Sequence, residues 1–219
     1  MQENLLIGDQ NIKYKEASDF LSKLDPDWKS LIKKKGVCNL KISHNLEPYQ
    51  SLIKSVIFQQ LHPKAGNAIF GRFLLIFNSK FPDDKSILEK SSIEIKSCGL
   101  SQNKLLAILE IASQSASKKL PTSNEIIKMS DNEIIKLFTT IKGIGEWTAQ
   151  MLLIFNLGRL DIMPHNDLAI RRNYQKLKRL PNPITPKEIV EISAAWSPYR
   201  SVASWYLWRF DQKPPNLSQ

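Results

Sequence analysis

Apolar residues recur along most of this chain at intervals of three and four positions, the spacing that lines one face of an α-helix. The stretch "LIKSVI" at residues 52–57 is an example. Its helix is predicted to begin at Pro48 and to end near His62, because Pro63 disfavours helical geometry in the residue before it. Residues 37–44 alternate weakly, as a short strand or an extended segment would. The pattern therefore predicts an all-α protein with about ten helices.

Residue types at the ends of these segments predict where individual helices begin and end. "SDNE" at 130–133 and "TPKE" at 185–188 have the spacing of a capping box, in which two side chains bond to backbone amides at a helix N-terminus. A helix over 147–157 is expected to end with Gly158 as its C-cap. The last helix is expected to begin at Ser197, which precedes a proline.

Two glycines in "KGIG", residues 142–145, separate two of the predicted helices. Glycines allow a tight turn and a close approach to a ligand. Amides at the start of the following helix lack partners within the helix and carry the positive end of its dipole, so they can bind a phosphate. Turns of this kind also occur without a ligand, and the two glycines alone leave both possibilities open. The longer string "IKGIGEWTA", followed by an apolar helix, resembles the helix-hairpin-helix of DNA-binding proteins.

Asp167 opens another helical stretch, "DLAIRRNY". Aspartate is a favoured N-cap, so the residue has a structural explanation. It also has a functional one, since a carboxylate at a helix N-terminus is stabilised in its ionised form. Such a carboxylate can stabilise a positive charge that develops on a sugar when a glycosidic bond breaks.

Four stretches in this order resemble the helix-hairpin-helix, Gly/Pro-Asp (HhH-GPD) superfamily of DNA glycosylases, and within it the 3-methyladenine DNA glycosylase II branch. They are "SVIFQQLHPKAGNAIFGRF" (55–73), "GLSQNKLLAILEIA" (99–112), "IKGIGEWTAQMLL" (141–153) with "MPHNDLAIRR" (163–172), and "WSPYRSVASWYLWR" (196–209). The resemblance implies a two-lobed helical fold with the active site in the cleft between the lobes. Residues 48–157 would form one lobe, and 1–47 with 158–219 the other.

The resemblance also implies the reaction. Asp167 falls on the catalytic aspartate of the family. Trp147 falls on the position that holds a Schiff-base lysine in relatives with lyase activity. Because an indole cannot form an imine, a monofunctional glycosylase that uses water is expected. Trp147, Met151 and Trp208 fall on positions that line the base pocket, where electron-rich rings attract positively charged alkylated purines. From the residue type alone, each tryptophan fits a plain core position equally well.

The resemblance assigns DNA contacts to two segments. The hairpin would bind a backbone phosphate through Lys142, Gly143, Ile144, Gly145 and Thr148. Gln60 and Leu61 fall on the loop that fills the gap left by the extruded nucleotide, since an apolar wedge can separate base steps from the minor groove. His62 beside them is a candidate minor-groove contact or a plain surface residue. Arg171, Arg172 and Arg200 are candidates for either phosphate contacts or structural roles.

Several positions depart from the family pattern. Asn166 stands before the aspartate where relatives often have a second acid, His165 is an unusual neighbour, and Met151 takes a position that is often aromatic. A strand-rich N-terminal domain is not expected, because only about 45 residues precede the match. The chain has only two cysteines, Cys38 and Cys98, which are too few to hold an iron–sulfur cluster. These differences bear on the range of substrates rather than on the class of reaction.

Composition agrees with these expectations. A formal charge of +10 favours a polyanionic partner, although a lysine-rich surface would give the same balance. No apolar run approaches the roughly 20 residues of a membrane span, and no secretory signal is seen, so a cytoplasmic or nuclear location is expected. The sequence thus predicts a monomeric glycosylase that acts on duplex DNA containing alkylated bases. No metal or organic cofactor is implied, although hairpin carbonyls could hold a monovalent ion. The alternatives are a non-catalytic lesion sensor and a glycosylase for oxidised or deaminated bases.

Overall fold

The computed structural model describes residues 2–43 and 47–212, except for the side chains of residues 2–9 and 63. Within those ranges every regular element is helical, which confirms the predicted all-α class. The thirteen α-helices of the described residues are α1 (Gln2–Ser22), α2 (Pro26–Lys35), α3 (Pro48–Phe58), α4 (Pro63–Leu75), α5 (Asp84–Glu89), α6 (Ser92–Ser97), α7 (Gln102–Ala116), α8 (Ser123–Ile126), α9 (Asp131–Thr139), α10 (Glu146–Phe155), α11 (Leu168–Lys178), α12 (Pro186–Ser193) and α13 (Arg200–Trp208). A 3-10 helix, Ala194–Trp196, follows α12.

The chain divides into two compact units. The split unit comprises the described residues up to Ile42 and those from Gly158 onward, and the continuous unit runs from Ser43 to Leu157. In the split unit α1 packs on α2 and α13, and α13 also packs on α2 and α11. Trp196 lies in its core, with its ring centroid 5.3 Å from those of Trp28 and Tyr174. Three aromatic side chains thus join α2, α11 and the 3-10 helix, although their positions in the sequence are far apart.

In the continuous unit α3 is the central helix, and it packs against α4, α7 and α10. Its apolar residues Leu52, Ile53, Val56 and Ile57 are completely buried, as their spacing predicts. The predicted end near His62 is wrong. The helix stops at Phe58, because Gln59 turns to extended geometry and Gln60 has a left-handed φ of 55°. His62 instead serves as the N-cap of α4.

Caps made by neighbouring residues lie where the sequence predicts them. Ser130 with Glu133 and Thr185 with Glu188 both form capping boxes. The predicted C-terminal end of the helix over 147–157 is wrong. The helix α10 ends at Phe155 with Asn156 as its cap, and Gly158 lies beyond it.

The start of α13 also differs from the prediction. It begins at Arg200 and not at Ser197. The backbone amide of Arg200 donates to Asp161 Oδ1 at 3.2 Å, a partner 39 positions away. A boundary that is fixed by such a distant residue leaves no local sequence signal. Residues 37–43, where the sequence allowed a strand or an extended segment, contain no strand, and residue 44 lies outside the described residues.

No helix among the described residues has both the length and the apolar character that a membrane crossing requires.

Candidate functional site

The glycine hairpin joins α9 to α10 in the continuous unit. Ile141 and Ile144 are almost completely buried, and the amide of Ile144 donates to the carbonyl of Ile141 at 3.0 Å. Gly143 between them has a φ of +93°, and a β-carbon placed there would lie 2.7 Å from the β-carbon of Ala107 on α7. Gly145 is the N-cap of α10 with a φ of −90°, and nothing lies within 4 Å of the position of its missing β-carbon. Glycine is therefore required at residue 143 by the backbone conformation and by the packing against α7, whereas neither of these requires glycine at residue 145.

The predicted DNA-contacting residues of the hairpin divide by exposure. Lys142, Gly143 and Gly145 are exposed, and the N-terminus of α10, with its positive dipole end, begins at Gly145. The side chains of Ile144 and Thr148 are buried. Thr148 Oγ1 accepts a hydrogen bond from Gln59 Nε2 at 3.1 Å. The Thr148 hydroxyl is therefore bonded to another side chain of the same unit, and the Ile144 side chain is buried in the protein interior.

The loop of residues 59–62 lies against this hairpin. Gln59 Nε2 also donates to the carbonyl of Gly143 at 3.3 Å. Gln60 is exposed and Leu61 is partly exposed. His62 is exposed, and its Nδ1 accepts from the amide of Lys64 at 3.3 Å, which caps α4. The side chain of Gln59, the residue before the assigned Gln60 and Leu61, thus connects their loop to the hairpin within one unit.

Trp147 and Met151 lie on the first two turns of α10, and Trp147 is 39% exposed. This exposure excludes the fully buried core position that the residue type alone allowed. Met151 is partly exposed. Both side chains belong to the continuous unit, whereas Asp167 and Trp208 belong to the split unit.

Asp167 is the N-cap of α11. Its Oδ1 accepts from the backbone amides of Ala169 at 2.8 Å and Ile170 at 3.1 Å. Its own amide donates to the carbonyl of Pro164 at 2.9 Å, which closes a turn in front of the helix. The structural interpretation made from the sequence is therefore correct. It accounts for only one of the two carboxylate oxygens.

The second oxygen, Oδ2, accepts from the indole N–H of Trp208 at 3.1 Å. Trp208 is the last residue of α13, a helix that packs on α11, and its side chain is partly buried. Hydrogen bonds to an ionised carboxylate are roughly twice as strong as neutral ones. Asp167 is thus fixed by donors on both oxygens. Sequence reasoning missed this contact because the two residues are 41 positions apart and no spacing rule relates them.

Two of the three candidate arginines have structural partners in the split unit. Arg200 binds Asp161 through two parallel hydrogen bonds of 2.7 and 2.8 Å. Burial acts to raise the pKa of Asp161, but hydrogen bonds from Arg200 and Ser197 outweigh it, so the net pKa is lowered. Arg171 Nη1 donates to the carbonyl of Ile184 at 2.9 Å. The third, Arg172, is exposed on α11.

Two of the three departures from the family pattern, His165 and Asn166, directly precede Asp167 in the chain, whereas Met151 lies on α10 in the continuous unit. His165 Nε2 and Asn166 Nδ2 are 3.1 Å apart, within the turn that precedes α11. Within the described ranges, no three His, Cys, Asp or Glu side chains come together in a way that could hold a metal ion. The chemical groups that the structure offers at Asp167 are therefore a carboxylate, an imidazole, amides and an indole.

A glycine hairpin between two helices, followed by an aspartate that caps the next helix, is the arrangement that the resemblance to helix-hairpin-helix DNA glycosylases predicts. Residues 53–198 match the family described as HhH-GPD superfamily base excision DNA repair protein, and the chain belongs to this family. The predicted resemblance is thereby confirmed.

The chain is similar to named relatives over most of its length. DNA-3-methyladenine glycosylase 1 of Schizosaccharomyces pombe is 42% identical, and the match covers 89% of this chain and 86% of the relative. The alkylbase DNA glycosidase-like protein mag2 of the same organism is 35% identical, over 90% and 93% of the two chains. A structure of the S. pombe 3-methyladenine DNA glycosylase Mag1 in complex with abasic DNA superimposes with a TM-score of 0.81, over 89% of this chain and 95% of that one. A DNA-3-methyladenine glycosidase structure from Bacillus halodurans gives 0.78 at 29% identity, over 90% and 89%.

Proposed function

We propose that this protein is a monofunctional DNA glycosylase that removes alkylated purines, such as 3-methyladenine, from duplex DNA and leaves an abasic site. Membership of a base excision repair family supports the reaction class, and the names of the relatives in S. pombe support the substrate class. The observation that carries the proposal is the geometry of Asp167, whose two oxygens are both held by hydrogen-bond donors. Duplex DNA is the partner, and the chain acts on it as a monomer.

The proposed reaction breaks the bond between C1′ of the deoxyribose and the nitrogen of the damaged base. The electron pair of that bond leaves with the base, so a cationic alkylated purine departs as a neutral molecule. Positive charge develops on the sugar, where a fixed carboxylate stabilises it without reorganising at the moment of reaction. Water then bonds to C1′, and its proton passes to Asp167 or to solvent. The donors on Oδ1 and Oδ2 keep the carboxylate in one orientation throughout.

The DNA-holding role is proposed for the continuous unit. Lys142 and the start of α10 would bind a backbone phosphate, and Gln60 with Leu61 would enter the base stack. Trp147 and Met151 of this unit would contact the damaged base, and the resemblance assigns the same role to Trp208 of the split unit. Electron-rich tryptophan rings attract the positive charge of an alkylated purine. Because Trp147 stands where lyase relatives have lysine, no imine would form with the sugar.

Base release from methylated DNA tests the proposal. Duplex treated with a methylating agent is incubated with the protein, and released 3-methyladenine and 7-methylguanine are separated and counted. We expect release by the native chain and a loss of at least about 100-fold in Asp167→Asn, the magnitude typical for removal of one electrostatic stabiliser. Asn is as good an N-cap as Asp, so this variant keeps the cap, although its amide nitrogen cannot accept the indole N–H of Trp208. Thermal unfolding by circular dichroism therefore checks its fold. Full release by Asp167→Asn would refute the catalytic role.

Two further outcomes discriminate among functions. A native chain that binds damaged duplex but releases no base is a lesion sensor, the alternative that the capping role of Asp167 favours. Release of an oxidised or deaminated base in preference to methylated purines would change the proposed substrate class but not the proposed reaction. Treatment with borohydride in the presence of damaged DNA tests the monofunctional assignment, which a trapped covalent complex would overturn.

A further inference from the structure

Gln59 joins two segments of the continuous unit that are distant in sequence. It follows the last residue of α3, and its side-chain amide donates to the carbonyl of Gly143 at 3.3 Å and to Thr148 Oγ1 at 3.1 Å. These partners lie 84 and 89 positions further along the chain. An amide nitrogen has two hydrogens to donate, and these two acceptors match that number. The side chain therefore contacts the hairpin on both sides of Gly145.

The main chain of Gln59 is held by a different residue. Lys104 Nζ donates to the carbonyl of Gln59 at 2.8 Å and to that of Ile57 at 2.9 Å. Both carbonyls lie at the C-terminal end of α3, where a cation interacts favourably with the helix dipole. Burial lowers the pKa of Lys104, as expected for an ammonium group that is partly removed from water.

The helix α7 aligns these contacts. Lys104 and Ala107 are three positions apart on α7 and therefore lie on the same face. Lys104 binds the end of α3, while Ala107 receives Gly143 at a distance that leaves no room for a β-carbon. One face of one helix thus fixes both the start of the loop and the position of the hairpin.

The loop itself is held at both ends and projects between them. Gln59 fixes its first residue, and His62 fixes its last by capping α4. The amide of Leu61 donates to the carbonyl of Phe58 at 3.2 Å, and Gln60 takes a left-handed φ of 55°. The two residues assigned to the DNA wedge, Gln60 and Leu61, are those that lie between the fixed ends.

We propose that Gln59 is a positioning residue that holds the Gln60–Leu61 wedge in fixed register with the phosphate-binding hairpin, and that Lys104 acts through it. The proposal rests on the proposed function for the assignment of these two segments to DNA. Its consequence concerns opening of the duplex and not cleavage of the glycosidic bond. When a phosphate is seated at the hairpin, the wedge already points at one base step, and no loop ordering remains to be done on binding.

The wedge can be observed without base release. A duplex that carries a stable abasic-site analogue next to 2-aminopurine becomes fluorescent when the neighbouring base is unstacked. We expect a clear signal with the native chain and about tenfold weaker formation of the unstacked state with Gln59→Ala, because two hydrogen bonds are lost. Affinity for undamaged duplex and its salt dependence should change little. Lys104→Met should act in the same direction, and the double variant should lose less than the product of the two single effects, since contacting residues are not additive.

Matched controls exist in the same unit. Gln102 and Lys96 are exposed, so Gln102→Ala and Lys96→Met remove a similar amide and a similar charge. Both controls should give the native fluorescence. Gln59→Asn, a shorter amide, provides a second variant in case Gln59→Ala unfolds, and circular dichroism checks each fold.

A pre-opened substrate separates positioning from general damage. Base release by Gln59→Ala should recover towards the native rate when the lesion lies in an unpaired bulge, which needs little opening. Equal losses on paired and bulged substrates would overturn the proposal, as would an unchanged 2-aminopurine signal in Gln59→Ala. The absence of base release by the native chain would refute the glycosylase assignment while leaving the fluorescence test valid. The absence of a fluorescence signal with the native chain would refute the wedge.

Discussion

The two hairpin glycines are expected to differ when each is replaced by alanine. Gly143 has a φ of +93°, and its new β-carbon would lie 2.7 Å from that of Ala107. The left-handed region costs an L-residue about 1–2 kcal/mol. The overlap with a second β-carbon on a rigid helix forces a shift of the hairpin or of α7, which costs about 1–3 kcal/mol more. Gly143→Ala should therefore lose about 2–5 kcal/mol of stability, or roughly 4–20 °C in melting temperature for a chain of this length.

Gly145→Ala should behave in the opposite way. Its φ of −90° and ψ of 169° are ordinary for any residue, and nothing lies within 4 Å of the new methyl group. Stability should stay within about 1 kcal/mol of the native value, and any change should be a gain, because alanine restricts the unfolded chain. If a phosphate approaches the backbone at Gly145, the methyl group will obstruct it. We then expect about tenfold weaker binding to abasic duplex and a salt dependence reduced by roughly one ion.

Thermal unfolding by circular dichroism measures the first effect, and fluorescence anisotropy with labelled abasic duplex at several salt concentrations measures the second. Each variant is the control for the other, because both add one methyl group to the same turn. Native DNA affinity in Gly145→Ala would refute the assignment of Gly145 to a phosphate contact. An unchanged melting temperature in Gly143→Ala would refute the packing argument against α7.

Two further predictions concern the split unit. Trp208→Phe keeps an aromatic ring but removes the donor to Asp167 Oδ2, so base release should fall about tenfold with little change in melting temperature. Native release by this variant would show that the indole N–H does not orient the carboxylate. Asp161→Asn should lose about 1 kcal/mol near neutral pH, a modest amount because the pair is about one-third exposed. Since the pKa of Asp161 is lowered in the folded chain, its contribution is present above the ordinary aspartate pKa and is lost as the pH falls through the lowered value. Denaturant titrations from neutral to acid pH should therefore show a smaller gap between native and variant below that value, and a constant gap would contradict the assignment.

Local chemistry made much of the fold predictable. The capping boxes at Ser130 and Thr185 involve residues three positions apart, and the apolar face of α3 follows from its spacing alone. Predicted helix boundaries were wrong where the residue that stabilises the helix end is distant in the sequence. The helix α13 begins where Asp161 accepts the amide of Arg200, and a scan of nearby residues cannot identify that partner. Gly158 was assigned to a helix end because glycine is common there, but its left-handed geometry belongs to the segment beyond α10, where Ile42 packs.

In the candidate site, too, contacts between residues close in sequence were predictable and contacts between distant residues were not. Asp167 was identifiable because its capping partners are the next residues of the chain. The contacts of Gln59 and Trp208 were not, since each joins elements that only the folded chain brings together. Thr148 was assigned to DNA from its place in the hairpin, but a threonine on the first turn of a helix can face inward or outward with equal ease. The spacing of the motif does not distinguish these directions, and the structure turns the hydroxyl towards Gln59.

The arrangement at Asp167 exceeds what a helix cap requires. A cap needs one side-chain oxygen, which Ser, Thr or Asn supplies as well as Asp. Here Oδ1 alone bonds both capping amides, while Oδ2 accepts an indole N–H from another helix. If capping were the whole role, Asp167→Asn would preserve base release and lose only the small stability that the contact with Trp208 contributes. If the fixed negative charge is the purpose, the same variant keeps the cap and most of the stability but loses the reaction, whereas Asp167→Ala loses both the cap and the reaction. Stability and release measured on these two variants therefore separate a cap that happens to be acidic from a catalytic carboxylate that also caps a helix.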